Sequence, residues 1–436
     1  MENIINVESL AYKGYGTGKK GSKIVFIDYA VPGDVVRADI YEEHKNYAFA
    51  RIEEIITPSP ERIPPACKNF GICGGCSYLN IPYETELYWK KRIFAREFEK
   101  TFKSYGYDAD KILTGLSDKG PSLYYRRKIS LKVFPPFIGF YRKQTHKVID
   151  IESCHLASWE VNQALKCLRE IMSGENFLEN VKGITLLEAG GIKNAIFELK
   201  NGAKSNEEKF FREVFRECGF KNIFVTAGKG GENFSTYRGG PGEVFFEIKG
   251  KKFYFDLPAF IQVNKKQNER LIDEITGFLS AAAEERGKIF NSALDLFCGY
   301  GNITLFLQGF VKKIKGVDIA GPGIELAKKS LELNNARNIT FESQDAEKSL
   351  KKEKERGSLY DLVVLDPPRR GVKGMAPLIA GLGPEYVIYV SCDPMTLMRD
   401  LKVFAEMDYG IKKISLIDMF PRTYHIESVS FLRKIK

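Results

Sequence analysis

The first sixty residues alternate between short apolar runs and polar or glycine-rich breaks. Apolar residues recur in the runs 23–27 and 35–41, and the sequence VPGD at 31–34 between them is typical of a turn. Several short strands at this spacing predict a small β-barrel, which we place at residues 1–58. The prolines that follow, between residues 57 and 65, indicate a linker.

Helical and strand patterns are mixed in the part of the chain that follows. Residues 88–102 carry large apolar side chains at helical spacing. The mixture predicts an α+β central domain, which we place at residues 59–255. Further helices are predicted at 161–172 and 207–218, and strands at 128–134, 184–188, 195–199 and 251–255.

From residue 260 onward, helical segments alternate regularly with short apolar strands. This alternation is typical of a parallel sheet with helices on both faces, and it predicts a Rossmann-like α/β domain at residues 256–436. The charged stretch 348–356 is predicted to be a loop. Helices are predicted at 264–279, at 323–334 and directly after residue 302, and strands at 293–297, 315–318, 339–341, 362–366 and 386–391.

The chain has 436 residues, of which 44% are hydrophobic and 28% are charged, as in ordinary globular proteins. This composition excludes a disordered, collagen-like or coiled-coil protein and suffices for more than one core. No apolar run reaches the ~18 residues that span a bilayer. Residues 1–4 lack the basic and apolar parts of a signal peptide. We therefore expect a cytoplasmic protein that does not insert into a membrane.

The net charge of +10 comes from 66 Lys and Arg against 56 Asp and Glu, and it is unevenly distributed. Residues 86–147 contain 15 Lys and Arg but only 6 Asp and Glu, a net charge of +9. In the same stretch, Tyr124, Tyr125 and Tyr141 stand beside Arg and Lys residues. Cations neutralise phosphates and rings stack on bases, so the stretch predicts a nucleic-acid partner. The interleaved rings argue against a merely solvated basic face.

Eight cysteines in a cytoplasmic protein argue against disulfides and for a metal site or catalysis. Cys67, Cys73 and Cys76 lie within ten residues, and Cys154 follows 78 residues later. Four thiolates can bind either Zn²⁺ or an iron–sulfur cluster, and the spacing alone does not decide between them. Structural zinc usually has two C-x2–4-C pairs, which this arrangement lacks. His155 is a rival ligand beside Cys154, although a polar neighbour without a metal is the simpler interpretation.

A glycine-rich turn, DLFCGYGN at 295–302, follows directly after a predicted strand. Small residues there let a ligand approach the backbone, although tight packing of the turn would also use them. The dinucleotide fingerprint G-x-G-x-x-G is incomplete because Thr304 occupies the third glycine position. Asp318 ends the next strand, where an acid can bind ribose hydroxyls. We therefore favour S-adenosylmethionine (SAM) over a dinucleotide as the ligand of this turn.

Three further motifs place side chains that can take part in a reaction on the predicted sheet. DPPR at 366–369 holds Asp366 in a rigid turn, because the prolines restrict the backbone. SCDP at 391–394 places Cys392 at the same sheet edge, where we favour a nucleophile over a small buried hydrophobe. HIES at 425–428 offers Glu427 as a general base, against the alternative of an exposed acid.

Together these motifs resemble the RNA (uracil-5-)-methyltransferase family. The resemblance rests on the glycine turn, DPPR, SCDP and HIES, together with Gln262 and Asn264 in FIQVN at 260–264. The sequences YKGYG at 12–16 and VPGD resemble the TRAM RNA-binding barrel, and the four cysteines resemble the family's [4Fe–4S] site. The likeness keeps the order of the motifs over nearly the whole chain and is weakest at 201–242.

Two residues depart from the family pattern. Asp318 stands where Glu is usual, and Asp393 stands where Asn is usual. Both replacements keep the capacity to form hydrogen bonds. The shorter Asp318 changes the ribose contact but not the class of cofactor.

The resemblance implies that the chain methylates carbon 5 of a uridine in RNA with SAM as the methyl donor. Cys392 would add to carbon 6 of the base, and Glu427 would remove the proton from carbon 5. Phe260 would stack on the flipped uracil, which Asp366 would also contact. The residues implied around SAM or the base are Gln262, Phe297, Asn302, Asp318, Asp345 and Asp366, and those implied for a [4Fe–4S] cluster are Cys67, Cys73, Cys76 and Cys154. We expect a monomer that acts on 23S ribosomal RNA, with transfer RNA as the main rival substrate.

Two other classes of function are alternatives at this point. One is a non-catalytic RNA-binding or ribosome assembly factor, against which the intact Cys392 and Glu427 argue. The other is a radical enzyme, since TRAM barrels and clusters also occur together there. Radical chemistry requires a C-x3-C-x2-C triad, whereas this chain has C-x5-C-x2-C.

Overall fold

The computed structural model describes residues 3–116, 120–172, 179–202, 205–227, 233–238, 244–256 and 260–435. Its N-terminal part is a barrel of the strands β1 (Ile4–Ala11), β2 (Tyr15–Lys20), β3 (Lys23–Asp28), β4 (Val35–Glu43) and β5 (Tyr47–Thr57). The barrel closes in the order β1-β2-β3-β5-β4, which confirms the prediction. Alternate side chains such as Val25, Ile27 and Val36 fill its interior. A side chain at Gly18 would lie 2.2 Å from the Asn6 carbonyl, so β1 and β2 approach closely only because of this glycine.

The next segment consists of α1 (Tyr83–Phe102), α2 (Ala109–Ile112) and the short strand β6 (Leu113–Gly115). Phe94 and Phe98 of α1 belong to the same apolar cluster as Leu401 and Phe404, far along the chain. Strand β6 pairs in parallel with residues 414–416. The segment therefore packs with the C-terminal sheet, although it falls within the predicted central domain. The division into residues 1–58, 59–255 and 256–436 stays a prediction.

A seven-stranded sheet packs against α3 (Trp159–Met172) and α4 (Ser205–Glu217) through one apolar cluster. Its strands are β7 (Lys128–Phe134), β8 (Phe137–Tyr141), β9 (Val148–Asp150), β10 (Val181–Ala189), β11 (Ile192–Leu199), β12 (Asn222–Ala227) and β13 (Asn233–Arg238). They lie in the order β13-β12-β11-β10-β7-β8-β9. A hairpin of β14 (Val244–Ile248) and β15 (Lys251–Phe255) follows. The mixed α+β character predicted for this region is confirmed.

Cys167 in α3 and Cys218 just after α4 form a disulfide, with their Cα atoms 5.6 Å apart. The expectation that the cysteines stay unpaired was therefore wrong for these two. They are 51 residues apart in the sequence, and only the packing of both helices against one sheet brings them together. The six cysteines at 67, 73, 76, 154, 298 and 392 are free thiols.

The C-terminal sheet has eight strands, of which all but one run in the same direction. Helix α5 (Lys265–Arg286) leads into it, and the segments that follow are β16 (Phe290–Leu296), β17 (Val311–Asp318), α6 (Gly321–Leu333), β18 (Ile339–Ser343), α7 (Ala346–Glu355), β19 (Leu362–Leu365), α8 (Ala376–Gly381), β20 (Tyr386–Ser391), α9 (Pro394–Ala405), β21 (Tyr409–Ile417) and β22 (Glu427–Lys434). The strands lie in the order β18-β17-β16-β19-β20-β22-β21-β6. Strands β16 to β20 are parallel, and β22 is antiparallel to both of its neighbours. The predicted Rossmann-like α/β fold is confirmed. Among the described residues, no helix is long and apolar enough to cross a membrane.

Two local predictions were wrong. The charged stretch 348–356 lies mostly in α7, because Leu350 is fully buried while the Asp345 carboxylate caps the helix by accepting from the Lys348 N–H at 3.1 Å. The segment after residue 302 contains only a 3₁₀ helix at Thr304–Gly309. The next strand begins at Val311.

A cluster of buried charges joins α1 to the loop between β21 and β22. Lys90 Nζ lies 2.7 Å from Glu86 Oε1 and 2.7 Å from Asp418 Oδ1, and none of the three side chains is more than 2% exposed. The Arg422 N–H donates to Glu86 Oε1 at 2.8 Å, and the Tyr83 hydroxyl donates to Asp418 at 2.7 Å. Two positive and two negative charges balance in this cluster, so burial leaves no charge uncompensated.

Lys90→Met should lower the free energy of unfolding by about 3–5 kcal/mol, because it leaves two buried carboxylates, Glu86 and Asp418, with Arg422 as their one remaining counter-charge in the cluster. Urea unfolding followed by circular dichroism measures this change. The matched control is Lys100→Met, on the exposed side of the same helix, where we expect a change within about 0.5 kcal/mol. Equal effects of the two substitutions would show that the buried cluster does not stabilise the fold.

Candidate active site

A cavity of about 560 Å³ opens at the edge of the C-terminal sheet where the parallel strands end. This edge is where open α/β sheets bind their ligands. Nine residues that the sequence analysis assigned to the cofactor, the base or the chemistry line it together: Phe260, Gln262, Phe297, Asn302, Asp318, Asp345, Asp366, Cys392 and Glu427. Their individual roles stay predictions.

The turn after β16 exposes backbone to the cavity. Phe297, Gly299 and Gly301 have φ values of 64°, 55° and 87°, in the left-handed region that glycine adopts most easily. A side chain at Gly299 would meet no protein atom within 4 Å, so this side of the turn is open to a ligand. The Gly299 N–H donates to Asp318 Oδ2 at 3.0 Å and links the turn to the end of β17.

Neighbouring groups anchor the polar side chains around this turn. Asp318 Oδ1 accepts from the Ala320 N–H at 2.7 Å, so both of its oxygens are oriented by the backbone. Asn302 exchanges two hydrogen bonds of 2.8 Å with Asn268 of α5. Asp345 is held as the cap of α7. The polar atoms of this half of the cavity are thus in place before any ligand binds.

The two acids at the other end of the cavity favour their neutral forms. Burial raises the pKa of Asp366 to about 7, and the nearby Asp318 adds to the shift. Burial also raises the pKa of Glu427 well above its usual range, with Asp366 adding to the effect. The near-neutral pKa of Asp366 allows this carboxyl to exchange a proton with a substrate.

Cys392 follows β20 and shares the cavity with both acids. Burial and the nearby Glu427 raise the pKa of its thiol to about 12, and Arg369 partly offsets this rise. The thiol is therefore protonated near neutral pH when no substrate is present. Arg369, which also lines the cavity, favours the thiolate form.

Arg369 belongs to the DPPR motif and His425 to the HIES motif, but the sequence predicted no role for either residue. Arg369 Nη2 donates to His425 Nε2 at 3.0 Å, which requires that nitrogen to be unprotonated. Burial, together with Arg369, lowers the pKa of His425 to about 4. The imidazole is therefore neutral, and it holds the guanidinium beside the cysteine.

Residues 243–435 match the family described as tRNA (Uracil-5-)-methyltransferase, and residues 4–52 match the TRAM domain. An uncharacterised RNA methyltransferase of Listeria monocytogenes is 30% identical over 98% of this chain and 96% of its own length. The chain belongs to the RNA uracil-5-methyltransferase family. The resemblance seen in its motifs is thereby confirmed, as is the class of enzyme.

Other relatives of this methyltransferase extend the comparison. A 23S rRNA (uracil(1939)-C(5))-methyltransferase of Histophilus somni is 27% identical over 98% of this chain and 95% of that protein. The crystal structure of the Pyrococcus abyssi tRNA (uracil-54, C5)-methyltransferase in complex with S-adenosyl-L-homocysteine has a TM-score of 0.73 to this chain. It is 21% identical and covers 99% of this chain and 100% of its own, and it shows that the fold is shared throughout.

The barrel of the methyltransferase reaches the edge of the cavity through Tyr12, which belongs to the TRAM-like motif at 12–16 but was assigned no role at this site. The Tyr12 hydroxyl donates to Asp393 Oδ2 at 3.1 Å, beside Cys392. Asp393 Oδ1 accepts from the N–H groups of Met395 and Thr396 at 2.9 and 3.0 Å and thereby caps α9. Because Tyr12 and Asp393 are 381 residues apart, no local sequence signal could have predicted this contact.

The four predicted cluster cysteines line a second cavity, of about 600 Å³. Cys67, Cys73, Cys76 and Cys154 are all free thiols there. Burial raises the pKa of Cys73 to about 11 and raises those of Cys76 and Cys154 as well, with the neighbouring cysteines adding to each shift. The structure therefore brings together the four thiols that the sequence grouped.

Glu427→Gln should shift the alkylation of Cys392 to lower pH. An ionised Glu427 opposes formation of the thiolate, so its removal lowers the pKa of the thiol and increases the reactive fraction at a given pH. The measurement is the rate of iodoacetamide labelling between neutral and strongly alkaline pH, read at the Cys392 peptide by mass spectrometry. Glu325→Gln, which removes an exposed acid on α6, serves as the control. Identical pH profiles for Glu427→Gln and the unaltered enzyme would contradict the proposed coupling.

Proposed function

We propose that this methyltransferase transfers a methyl group from SAM to carbon 5 of a uridine in 23S rRNA and acts as a monomer. The observation that carries the proposal is the cavity that Cys392 and Glu427 share with the open glycine turn. The choice of RNA rests on relatives named 23S rRNA (uracil(1939)-C(5))-methyltransferase, which match nearly the whole chain at 27% to 29% identity.

The chain's own groups account for activation of the base. Carbon 5 of uracil is a weak nucleophile, and covalent addition at carbon 6 activates it. Cys392 first releases its thiol proton to solvent, and the nearby Arg369 favours the resulting thiolate. The thiolate forms a bond to carbon 6, and the electrons of the 5,6 double bond move to oxygen 4 as an enolate. SAM supplies an electrophilic methyl group, which carbon 5 accepts as the sulfur–methyl bond breaks. Glu427 in its ionised form then removes the proton from carbon 5, the double bond forms again and Cys392 leaves as a thiolate.

The other residues of the cavity bind and orient the target uracil and SAM. Phe260 is 60% exposed and offers its ring face to a uracil flipped out of its stack. Asp366, with a pKa of about 7, can donate a proton to a base carbonyl or accept one from the ring N–H. Asp318 keeps carboxylate lone pairs for ribose hydroxyls, because each of its oxygens accepts only one backbone N–H. The walls that would hold SAM are completed by Gln262, Phe297, Asn302 and Asp345.

RNA that carries 5-fluorouridine at the target should form a covalent adduct with the enzyme and SAM, because fluorine at carbon 5 cannot be removed as a proton. We expect Cys392→Ala to abolish the adduct and to lower methylation of natural RNA by at least about a thousandfold. Denaturing electrophoresis of labelled RNA detects the adduct, and transfer of the labelled methyl group from SAM measures methylation. Cys298→Ala removes another thiol that lines the cavity and should retain the adduct. An adduct that persists in Cys392→Ala would exclude Cys392 as the nucleophile.

The same enzyme distinguishes the two candidate RNAs. We expect methyl transfer from labelled SAM to 23S rRNA isolated from a strain that lacks the gene, and none to transfer RNA from that strain. Mapping of 5-methyluridine by mass spectrometry identifies the modified position. Transfer to tRNA alone would establish the rival substrate and would leave the mechanism unchanged.

We also propose that Cys67, Cys73, Cys76 and Cys154 bind a [4Fe–4S] cluster. A single Zn²⁺ with Zn–S bonds of about 2.3 Å needs sulfurs about 3.8 Å apart. Within the described ranges, no three His, Cys, Asp or Glu side chains form a group that could hold one metal ion. The four thiols line one cavity of about 600 Å³, and the resemblance to the family's [4Fe–4S] site favours a cluster as its occupant. The methyl transfer requires no electron, so the cluster would hold structure or contact RNA.

Enzyme purified without oxygen should contain about four iron atoms per chain, as expected for four cysteine ligands of a cubane cluster. Iron and sulfide analysis of the full chain measures this content. Cys154→Ser should lose most of the iron, whereas Cys298→Ser, outside the cysteine cavity, should retain it. Stoichiometric zinc without iron would refute the cluster.

A further inference from the structure

The loop between β21 and β22, residues 418–426, is hydrogen-bonded to the segment that contains three of the four clustered cysteines. We term the cavity of these cysteines the four-cysteine site, which is lined by Cys67, Cys73, Cys76 and Cys154. The Ser77 N–H, directly after Cys76, donates to the Arg422 carbonyl at 2.9 Å. The same loop supplies His425 to the wall of the catalytic cavity. It therefore connects the four-cysteine site with the groups that react.

Arg126 joins the segment of the fourth cysteine to the same loop. The Arg126 N–H donates to the Leu156 carbonyl at 2.8 Å, and the Arg126 carbonyl accepts from the Ser158 N–H at 2.9 Å. Both partners follow closely after Cys154. The guanidinium carbon of Arg126 lies 5.9 Å from the ring centroid of Phe420, which lines the catalytic cavity. One residue thus contacts the cysteine segment through its backbone and the loop through its side chain.

The Arg126 side chain also lines the four-cysteine site. Its Nε–H is buried and donates to no acceptor among the described residues. A buried donor without a partner is unfavourable. Cysteines bind a metal as thiolates, so an occupied site is negatively charged and compensates the guanidinium. The position of this side chain therefore depends on what the four-cysteine site contains.

We propose that Arg126 is a positioning residue through which the four-cysteine site holds the β21–β22 loop in its active position. The proposal rests on the proposed function and assigns a role to the four cysteines within it. Phe420 lies 5.5 Å from His425 between ring centroids, and His425 accepts from Arg369 at 3.0 Å. Loss of the metal removes the charge that orients Arg126. The loop then moves, and with it the cation beside Cys392.

A different wall of the catalytic cavity provides an internal reference. The Arg127 N–H donates to the Val263 carbonyl at 2.9 Å, and Arg127 Nη2 donates to the Gln262 carbonyl at 3.2 Å. These contacts do not involve the side chain of Arg126. Its substitution should therefore leave the Kd for SAM unchanged, which distinguishes a displaced loop from a collapsed cavity.

The test compares Arg126→Met with Arg142→Met in the full-length enzyme. Methionine keeps an apolar stem but removes the guanidinium. Arg142 lines the same cavity but is exposed, and its backbone pairs with Cys73. Arg126→Lys keeps the charge and is the conservative variant. Iron analysis and thermal unfolding of each variant identify any loss of the metal or of the fold.

Hydrogen–deuterium exchange of peptides from residues 418–426, read by mass spectrometry, measures how firmly the loop is held. We expect about tenfold faster exchange in Arg126→Met, and also in the unaltered enzyme after a chelator has removed the iron. Arg142→Met and Arg126→Lys should exchange like the unaltered enzyme. Removal of iron should have a smaller effect on Arg126→Met than on the unaltered enzyme, because only the Ser77 contact then remains.

Labelling of Cys392 by iodoacetamide, followed from neutral to strongly alkaline pH, measures the effect on the nucleophile. The charged groups that act on this thiol are Glu427, Arg369, Asp366 and Asp393. When the loop moves, His425 no longer holds Arg369 where it favours the thiolate, so Arg126→Met should shift the profile to higher pH. Arg142→Met should leave the profile in place. A rate that changes equally at every pH would reflect access to the thiol and would contradict this link.

Several results would overturn the proposal. Unchanged exchange of the loop in Arg126→Met would do so, as would equal effects of Arg126→Met and Arg142→Met. Equal effects of iron removal on Arg126→Met and on the unaltered enzyme would show that the link does not run through Arg126. Iron-free unaltered enzyme whose loop exchanges as slowly as before would reject the role of the four-cysteine site.

None of these measurements depends on RNA. Methylation of 23S rRNA by the unaltered enzyme is measured in parallel. Its presence together with any of the contrary results rejects the role of Arg126 alone, whereas its absence rejects the proposed function.

Discussion

The buried charges of Glu86, Lys90, Asp418 and Arg422 are the contact on which the catalytic half of the molecule depends. They tie α1, which lies early in the chain, to the loop that leads into His425 and Glu427. Well-packed apolar residues could stabilise the same junction equally well. We infer that the buried charges position the loop. Each charged group pairs with only a few others, so the pairs fix one position of the loop. Strand β6 reinforces this arrangement by pairing with β21.

The chemistry of the cavity depends on its shape and also on the exclusion of water from its buried side chains. Burial raises the pKa of Asp366, Glu427 and Cys392 and lowers that of His425, so all four groups shift toward their neutral forms. Charge then has to develop as the base enters and bonds form, when Arg369 stands nearby to stabilise it. The barrel also reaches this cavity, since the Tyr12 hydroxyl donates to Asp393 beside Cys392.

Sequence-based prediction succeeded where local pattern and local chemistry coincide. The apolar runs of β20 and the glycine turn after β16 lie as predicted, and the residues at their ends share one cavity. It was wrong at 348–356, where a charged surface concealed the buried Leu350 of α7. It was also wrong about Cys167 and Cys218, because their proximity arises from the packing of two helices. No periodicity carries information about such distant contacts.

The sequence by itself determined the order of the elements, the location of the basic segment and which side chains end at the reactive sheet edge. Parallel strands bring their carboxyl ends to one edge whatever else the chain does, so the strand pattern alone was enough to pair Asp366 with Cys392. Only the tertiary structure decided their protonation, the pairing of Arg369 with His425 and the approach of the barrel to Cys392. These properties depend on burial and on contacts across hundreds of residues, and such contacts exist only once the chain has packed.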